Sequence, residues 1–228
     1  MSSRANWIAK PGLWVLAFAV GIRLLFFHDL ARMPYFDLEL SAFDQINFHQ
    51  GALALSEGDW RAPSPNELYS PLYKYCLGGI YALARPFTHL RIGVARSVQL
   101  ALGVWVAWWI YRLGCLWGGT AAGVLASLLY SAFGPALFYE AKLLREFPAT
   151  AAMTAALWVG RDGPASSARG RWLGSATLMA LACQFRSNLE LVALVFLWRS
   201  WRGAGWHRAV AWGGVFVLCL LPSMALNA

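Results

Sequence analysis

Position 44 is an aspartate, and Phe48 and Ala52 follow it at intervals of four. On a helix that spacing puts a carboxylate and two apolar groups on one face. A carboxylate beside apolar groups near an interface holds its proton more tightly than in water and can act as a general base. A plainer reading stands next to this one. Ser41-Ala42-Phe43-Asp44 has the form of a capping box, in which Asp44 only satisfies a helix start. Asp37 and Glu39 lie just upstream, and with His49 they are candidate ligands for a divalent metal. They fit a solvated loop face equally, since no familiar ligand spacing joins them.

A second group of ionisable residues is Glu140, Lys142, Arg145 and Glu146, directly before Phe147-Pro148. It reads either as a polar reverse turn between two apolar runs or as an anion site. In the second case Arg145 would take a phosphate and Glu146 a second, carboxylate role. Arg186, with Ser187 and Asn188, falls between two short apolar runs. A charge there either snorkels to the surface or faces a ligand. Lys74, Arg85, Arg91 and Arg96 add positive charge around the first group. Acids with convergent cations suit a phosphorylated ligand whose leaving group is stabilised while a base acts nearby.

The elements that must hold these residues are apolar. The chain has 228 residues, 59% of them hydrophobic and 13% charged, with a mean hydropathy of +0.49. Soluble domains carry about 25% charged residues, so lipid is the expected solvent for several segments. The net charge of +8 follows arginines at the ends of apolar runs. That pattern fits a positive-inside bias and contact with anionic headgroups, and it argues against nucleic acid. Cys76, Cys115, Cys183 and Cys219 form no CxxC pair and read as buried thiols. The first apolar run has no small-residue cleavage site after it and reads as a retained span.

The expected fold is an all-α polytopic membrane protein, a single transmembrane domain over 1–228. Apolar runs at 13–27, 93–111, 119–138, 147–159, 172–185, 189–198 and 209–226 give about seven spans. Arg23, near the end of the first, is close enough to the surface to snorkel. Residues 28–90 form a long extracytoplasmic loop holding seven of the eleven acidic residues. Within it, 43–55 reads as an amphipathic juxtamembrane helix ending before Gly58. The run 72–84, bounded by Pro71 and Pro86, is too short to span and reads as interfacial or re-entrant. The short loops 161–171 and 199–208 are basic, which puts them and the N-terminus in the cytoplasm.

With its motifs in this order, the chain resembles the GT-C fold glycosyltransferases that use lipid-linked sugars. That superfamily includes the protein O-mannosyltransferases and the lipid A aminoarabinose transferases. The likeness runs over 13–228 and rests on five features. Asp44 is followed by Phe48, Ala52 and Gly58. Ser70-Pro71-Leu72-Tyr73 opens a second surface helix. Gly134-Pro135, Phe138-Tyr139-Glu140 and Leu143-Leu144-Arg145-Glu146 close a later span. Arg186-Ser187-Asn188 stands for an Arg-Pro-Asn between spans, and Pro222 and Asn227 match the last motif. The chain departs from the pattern at Phe48, where the family has Tyr, at Ser187 in place of Pro, and at Leu226 in place of Arg.

The resemblance implies a bacterial inner-membrane enzyme that moves a sugar from a polyprenyl-phosphate donor to an acceptor on the extracytoplasmic face, with inversion. Asp44 would be the base, and Glu146 would orient the acceptor or hold a metal. Arg145, Arg186, Lys74 and Arg96 would neutralise the leaving phosphate, with Glu140 and Asn188 as further contacts. No cofactor is fixed by it beyond a possible divalent metal. The family also implies about ten or more spans, so the chain is expected to be the N-terminal portion of such a module. The sugar and the acceptor, which could be a glycan, lipid or protein, stay open. The alternatives are a transporter or assembly scaffold of the same architecture, or an inactive fragment that only binds lipid phosphate.

Overall fold

The computed structural model describes residues 2–33, 43–60, 72–162 and 169–226. Among the described residues the chain is all-helical, with no strand. The helices are α1 (Ser2–Leu30), α2 (Phe43–Glu57), α3 (Leu72–Leu83), α4 (Arg91–Ala132), α5 (Gly134–Ala141), α6 (Glu146–Val159), α7 (Arg169–Phe185), α8 (Glu190–Ala204) and α9 (Trp206–Leu226). They fall into two compact units, one holding α1 to α5 and the other holding α6 to α9.

Among the described residues, two stretches are long and apolar enough to cross a membrane, Pro11–Leu30 and Arg85–Ala132. The second folds back on itself. Gly119 has φ 82° and ψ 176°, a conformation open to glycine and strained for other residues. Past it the chain returns along α4. A methyl at Gly114 would lie 2.7 Å from Gly123 Cα. Nine residues of straight helix would separate those positions by about 13 Å. The Ser127 hydroxyl donates to the Ala107 carbonyl at 2.8 Å, fixing the same hairpin further along. The apolar runs expected at 93–111 and 119–138 are therefore separate limbs.

α1 lies antiparallel along the first limb of α4. At one end Gly12 meets Trp108 and Tyr111; further along, Arg23 meets Gly103. The ends of α1 and α4 that border residues 31–90 are thus at the same end of this unit.

α2 starts where expected, runs two residues past the expected end at 55 and stops at Gly58 as expected, where φ is 104°. Gly58 N–H donates to Leu55 O and Asp59 N–H to Ala54 O, a Schellman motif. Its buried side is Gln45, Phe48, Ala52, Leu55 and Ser56. α3 has 12 residues, about 18 Å of helix and too short to span. It crosses α2 where Gly78 lets it approach Ala52 and Leu55.

In the second unit the helices expected as spans at 147–159, 172–185 and 189–198 are α6, α7 and α8, with 14, 17 and 15 residues. At 1.5 Å per residue they reach about 21–26 Å, below the roughly 30 Å of a hydrocarbon core. Their apolar residues serve a core of their own. Trp172, Phe196, Trp212 and Phe216 stack in succession, with ring centroids 5.4–6.2 Å apart along the series. Trp212 donates its indole N–H to Ser175 Oγ at 3.1 Å, so this buried ring leaves no polar atom unmet.

Candidate functional site

The first unit is organised around a buried ion pair. Arg23 and Glu140 are 2% and 0% exposed. Arg23 Nε donates to Glu140 Oε2 and Arg23 Nη2 donates to Oε1, each at 2.7 Å. This is the bidentate arrangement that suits a guanidinium and a carboxylate. Tyr130 donates its hydroxyl to Glu140 Oε1 at 2.9 Å, and Arg23 Nη1 donates to Ala19 O at 3.0 Å. The expectation that Arg23 snorkels to the surface is corrected. Its side chain turns inward because a fully buried carboxylate waits there, and an ion pair in an apolar surround costs less than either charge alone. Glu140, expected at a ligand, has both carboxylate oxygens engaged inside the protein.

Gly103 makes this pair possible. A methyl at residue 103 would fall on the Glu140 carboxylate and lie 2.7 Å from Arg23 Nε. Neither neighbour is a loose chain end, since each is held by the other. Gly103→Ala is expected to cost about 1–3 kcal/mol, the usual penalty for overpacking, read as a lower unfolding midpoint in detergent. Gly93→Ala is the control: its methyl meets nothing within 4 Å, and alanine favours the helix.

The residues after Glu140 form the turn singled out in the sequence. α5 ends at Ala141, and Lys142 is extended (φ −90°, ψ 145°). Helix-end carbonyls need donors. Gln99 supplies them from α4, its amide donating to Glu140 O and Lys142 O at 2.8 Å each. Gln45 of α2 accepts from Leu143 N–H through Oε1 at 3.0 Å. Two glutamines from different helices thus hold the backbone of one turn. Asp44, half-buried, is the residue next to Gln45 in the first turn of α2. Through Gln45, α2 is thus tied to the Glu140–Glu146 turn. Arg145 and Glu146 are half-buried on the same turn, Glu146 in the first turn of α6. An acid is favoured there by the helix dipole as well as by any ligand role.

Cations crowd this region. Lys142 is 6% exposed; its amine is held below the ordinary lysine range by burial first and then by the charge of Arg96. Its Nζ sits 5.3 Å from the Phe138 ring centre. Arg96 is itself buried. Lys74 is buried with its stem across Gly51 of α2, and burial lowers its amine. Arg91 and Arg96 both bear on Tyr81, whose hydroxyl burial nonetheless pushes upward.

His49 lies at the contact between α2 and α3. Its Nδ1 is 2.8 Å from the Tyr81 hydroxyl, which ties α2 to α3. Burial and then Arg91 hold the imidazole below its ordinary pKa. At neutral pH it is neutral in both the packed and detached states. As pH falls below about 6.5, a detached α2 takes up a proton that the packed one refuses, so packing weakens. Amide exchange in α2 should therefore speed up between pH 7.5 and 5.5, and His49→Gln should flatten that dependence. Among the described residues no three His, Cys, Asp or Glu side chains gather as a metal site. Asp37 and Glu39 lie outside the described residues, as do Ser70, Pro71 and Asn227.

Arg186 and Asn188 belong to the second unit. Both are exposed, at the extended residue and 3-10 turn between α7 and α8. The residues that reading the sequence missed are Arg23's partner role, Gly103, Gln45, Gln99 and Tyr130. Arg23 and Gln99 carried a signal: a polar group within an apolar run needs a partner.

No protein family, curated protein or solved structure was found to match the chain.

Proposed function

We propose that the chain is part of a membrane glycosyltransferase that takes a sugar from a polyprenyl-phosphate donor at the face where α2 meets the Glu140–Glu146 turn. The observation that carries this reading is the gathering of buried or half-buried Lys74, Arg91, Arg96 and Lys142 around a helix whose first turn bears Asp44. Like charges brought together out of water favour an anion among them. A lipid phosphate leaving a sugar is such an anion. Asp44 would take the proton of an acceptor hydroxyl. That oxygen would attack the anomeric carbon from the side opposite the phosphate, inverting the centre, and the bond to phosphate would break toward the cations. Arg145 is a further contact in this reading, and Glu146 orients the acceptor.

The membrane setting is part of the proposal: a polytopic chain with its N-terminus in the cytoplasm and residues 28–90 outside, in a bacterial inner membrane. Leu13, Trp14, Leu24 and Leu25 of α1 are each more than 60% exposed, which suits lipid and not water.

One observation favours a transporter instead. The Arg23–Glu140 pair sits within apolar structure, where transporters place ionisable groups. A single assay separates the two. The purified protein in liposomes is given a polyprenyl-phosphate sugar, and free polyprenyl phosphate is measured. Its release with the sugar passed to an acceptor supports transfer. Movement of the intact donor between leaflets with no release supports transport and ends the transferase reading.

A further inference from the structure

A separate feature lies in the second unit. α8 and α9 are joined through the single residue Gly205, at φ 82° and ψ 171°. That hinge leaves a groove of about 610 Å³ between the two helices, lined by Leu194, Leu197, Trp198, Trp201, Trp206 and Val210, among others. The volume is that of a small-molecule site. Its walls are almost entirely apolar, and the three tryptophans are each 56–60% exposed. Large exposed rings of this kind mark a binding surface or a lipid boundary.

Charge selects between occupants. From residue 191 to 228 there are three arginines and one histidine, and no Asp or Glu. Arg199 is turned to the Arg161 carbonyl and the Trp172 ring. Arg202 and Arg208 flank the hinge, with His207 against the Trp206 ring at 3.7 Å. The Arg202 guanidinium lies 5.8 Å from the Trp198 ring centre, at the groove wall itself. An apolar trough that ends in cations complements one chemistry: an acyl chain attached to an anionic headgroup.

We propose that the α8–α9 groove holds an acyl chain of one anionic phospholipid, with its phosphate held by Arg202 and Arg208. The site is independent of any transferase chemistry, and it requires neither a sugar nor Asp44.

The test is native mass spectrometry of the whole chain released from detergent, titrated with phosphatidylglycerol and, separately, with phosphatidylcholine of the same chains. The expected result is one phosphatidylglycerol bound preferentially, by roughly thirtyfold for two arginines near the headgroup. Arg202→Gln with Arg208→Gln should bring the two lipids within about threefold of each other, and Ala209→Phe, which fills the groove, should weaken both. Equal binding of the two lipids by the unaltered protein overturns the proposal without recourse to any variant. So does a preference that survives the double substitution, or a second copy of the chain retained in place of lipid. Glycerol phosphate competing as strongly as the whole lipid would overturn the role of the groove.

Discussion

Arg23→Met is expected to cost the protein roughly 3–5 kcal/mol, and Arg23→Met combined with Glu140→Met and Tyr130→Phe far less. The single change leaves Glu140 fully buried with its countercharge gone and only the Tyr130 hydroxyl still donating to it. Most of the penalty is that stranded charge, not the worth of the pair. Replacing both charges with apolar groups removes the desolvation cost as well, and Tyr130→Phe removes a hydroxyl that would then lack its acceptor. The measurement is unfolding by denaturant in micelles, arranged as a double-mutant cycle on residues 23 and 140. A cost below about 1 kcal/mol for Arg23→Met would place the pair in the range of solvated ion pairs. That would contradict the burial described above.

Asp44→Asn is expected to lower transfer by about 10²–10⁴-fold if Asp44 is the base, with little change in stability. Asparagine has nearly the shape of aspartate and serves as well at a helix start. It cannot accept a proton from a hydroxyl. The two readings of this residue therefore predict opposite outcomes. As a helix-start acid alone, Asp44 would lose about 0.3–1 kcal/mol of dipole stabilisation on neutralisation, and turnover would be unchanged. The release of polyprenyl phosphate and the unfolding midpoint, measured on one preparation, decide between them.

What could be read in the sequence was local. Gly58 stops α2 because only a glycine accepts its φ of 104° readily, and Pro135 stands in the first turn of α5, where a missing N–H does no harm. The two limbs of α4 were visible as two apolar runs, with Gly119 between them at the point where the chain turns back. The length of α3 followed from Pro71 and Pro86.

The site's supports were not legible, because they are long-range. Arg23 and Glu140 are 117 positions apart, and nothing in either neighbourhood names the other. Gln45 looks like an ordinary polar residue on a surface helix until the Leu143 N–H is seen to need it. Gly103 reads as a poor helix former and acts as clearance for a carboxylate. In the second unit apolarity misled in another way. Trp172, Phe196 and Trp212 are large apolar side chains of the kind that face lipid, yet they face one another. Composition records that a side chain avoids water; it does not record what replaces the water.

The separation of Arg23 from its partner bears on how the chain is made. Synthesis at about 5–20 residues per second puts Glu140 on the ribosome some 6–23 s after Arg23, given the 117 positions between them. Throughout that delay α1 carries an arginine that hydrocarbon alone would not accept. In the membrane setting proposed above, α1 then waits near the headgroups or the insertion machinery and settles inward only when α5 emerges. A nascent chain halted before residue 140 would hold α1 at a shallower depth than the finished one. The ion pair would then act during assembly as a latch closed late from the far side of the fold.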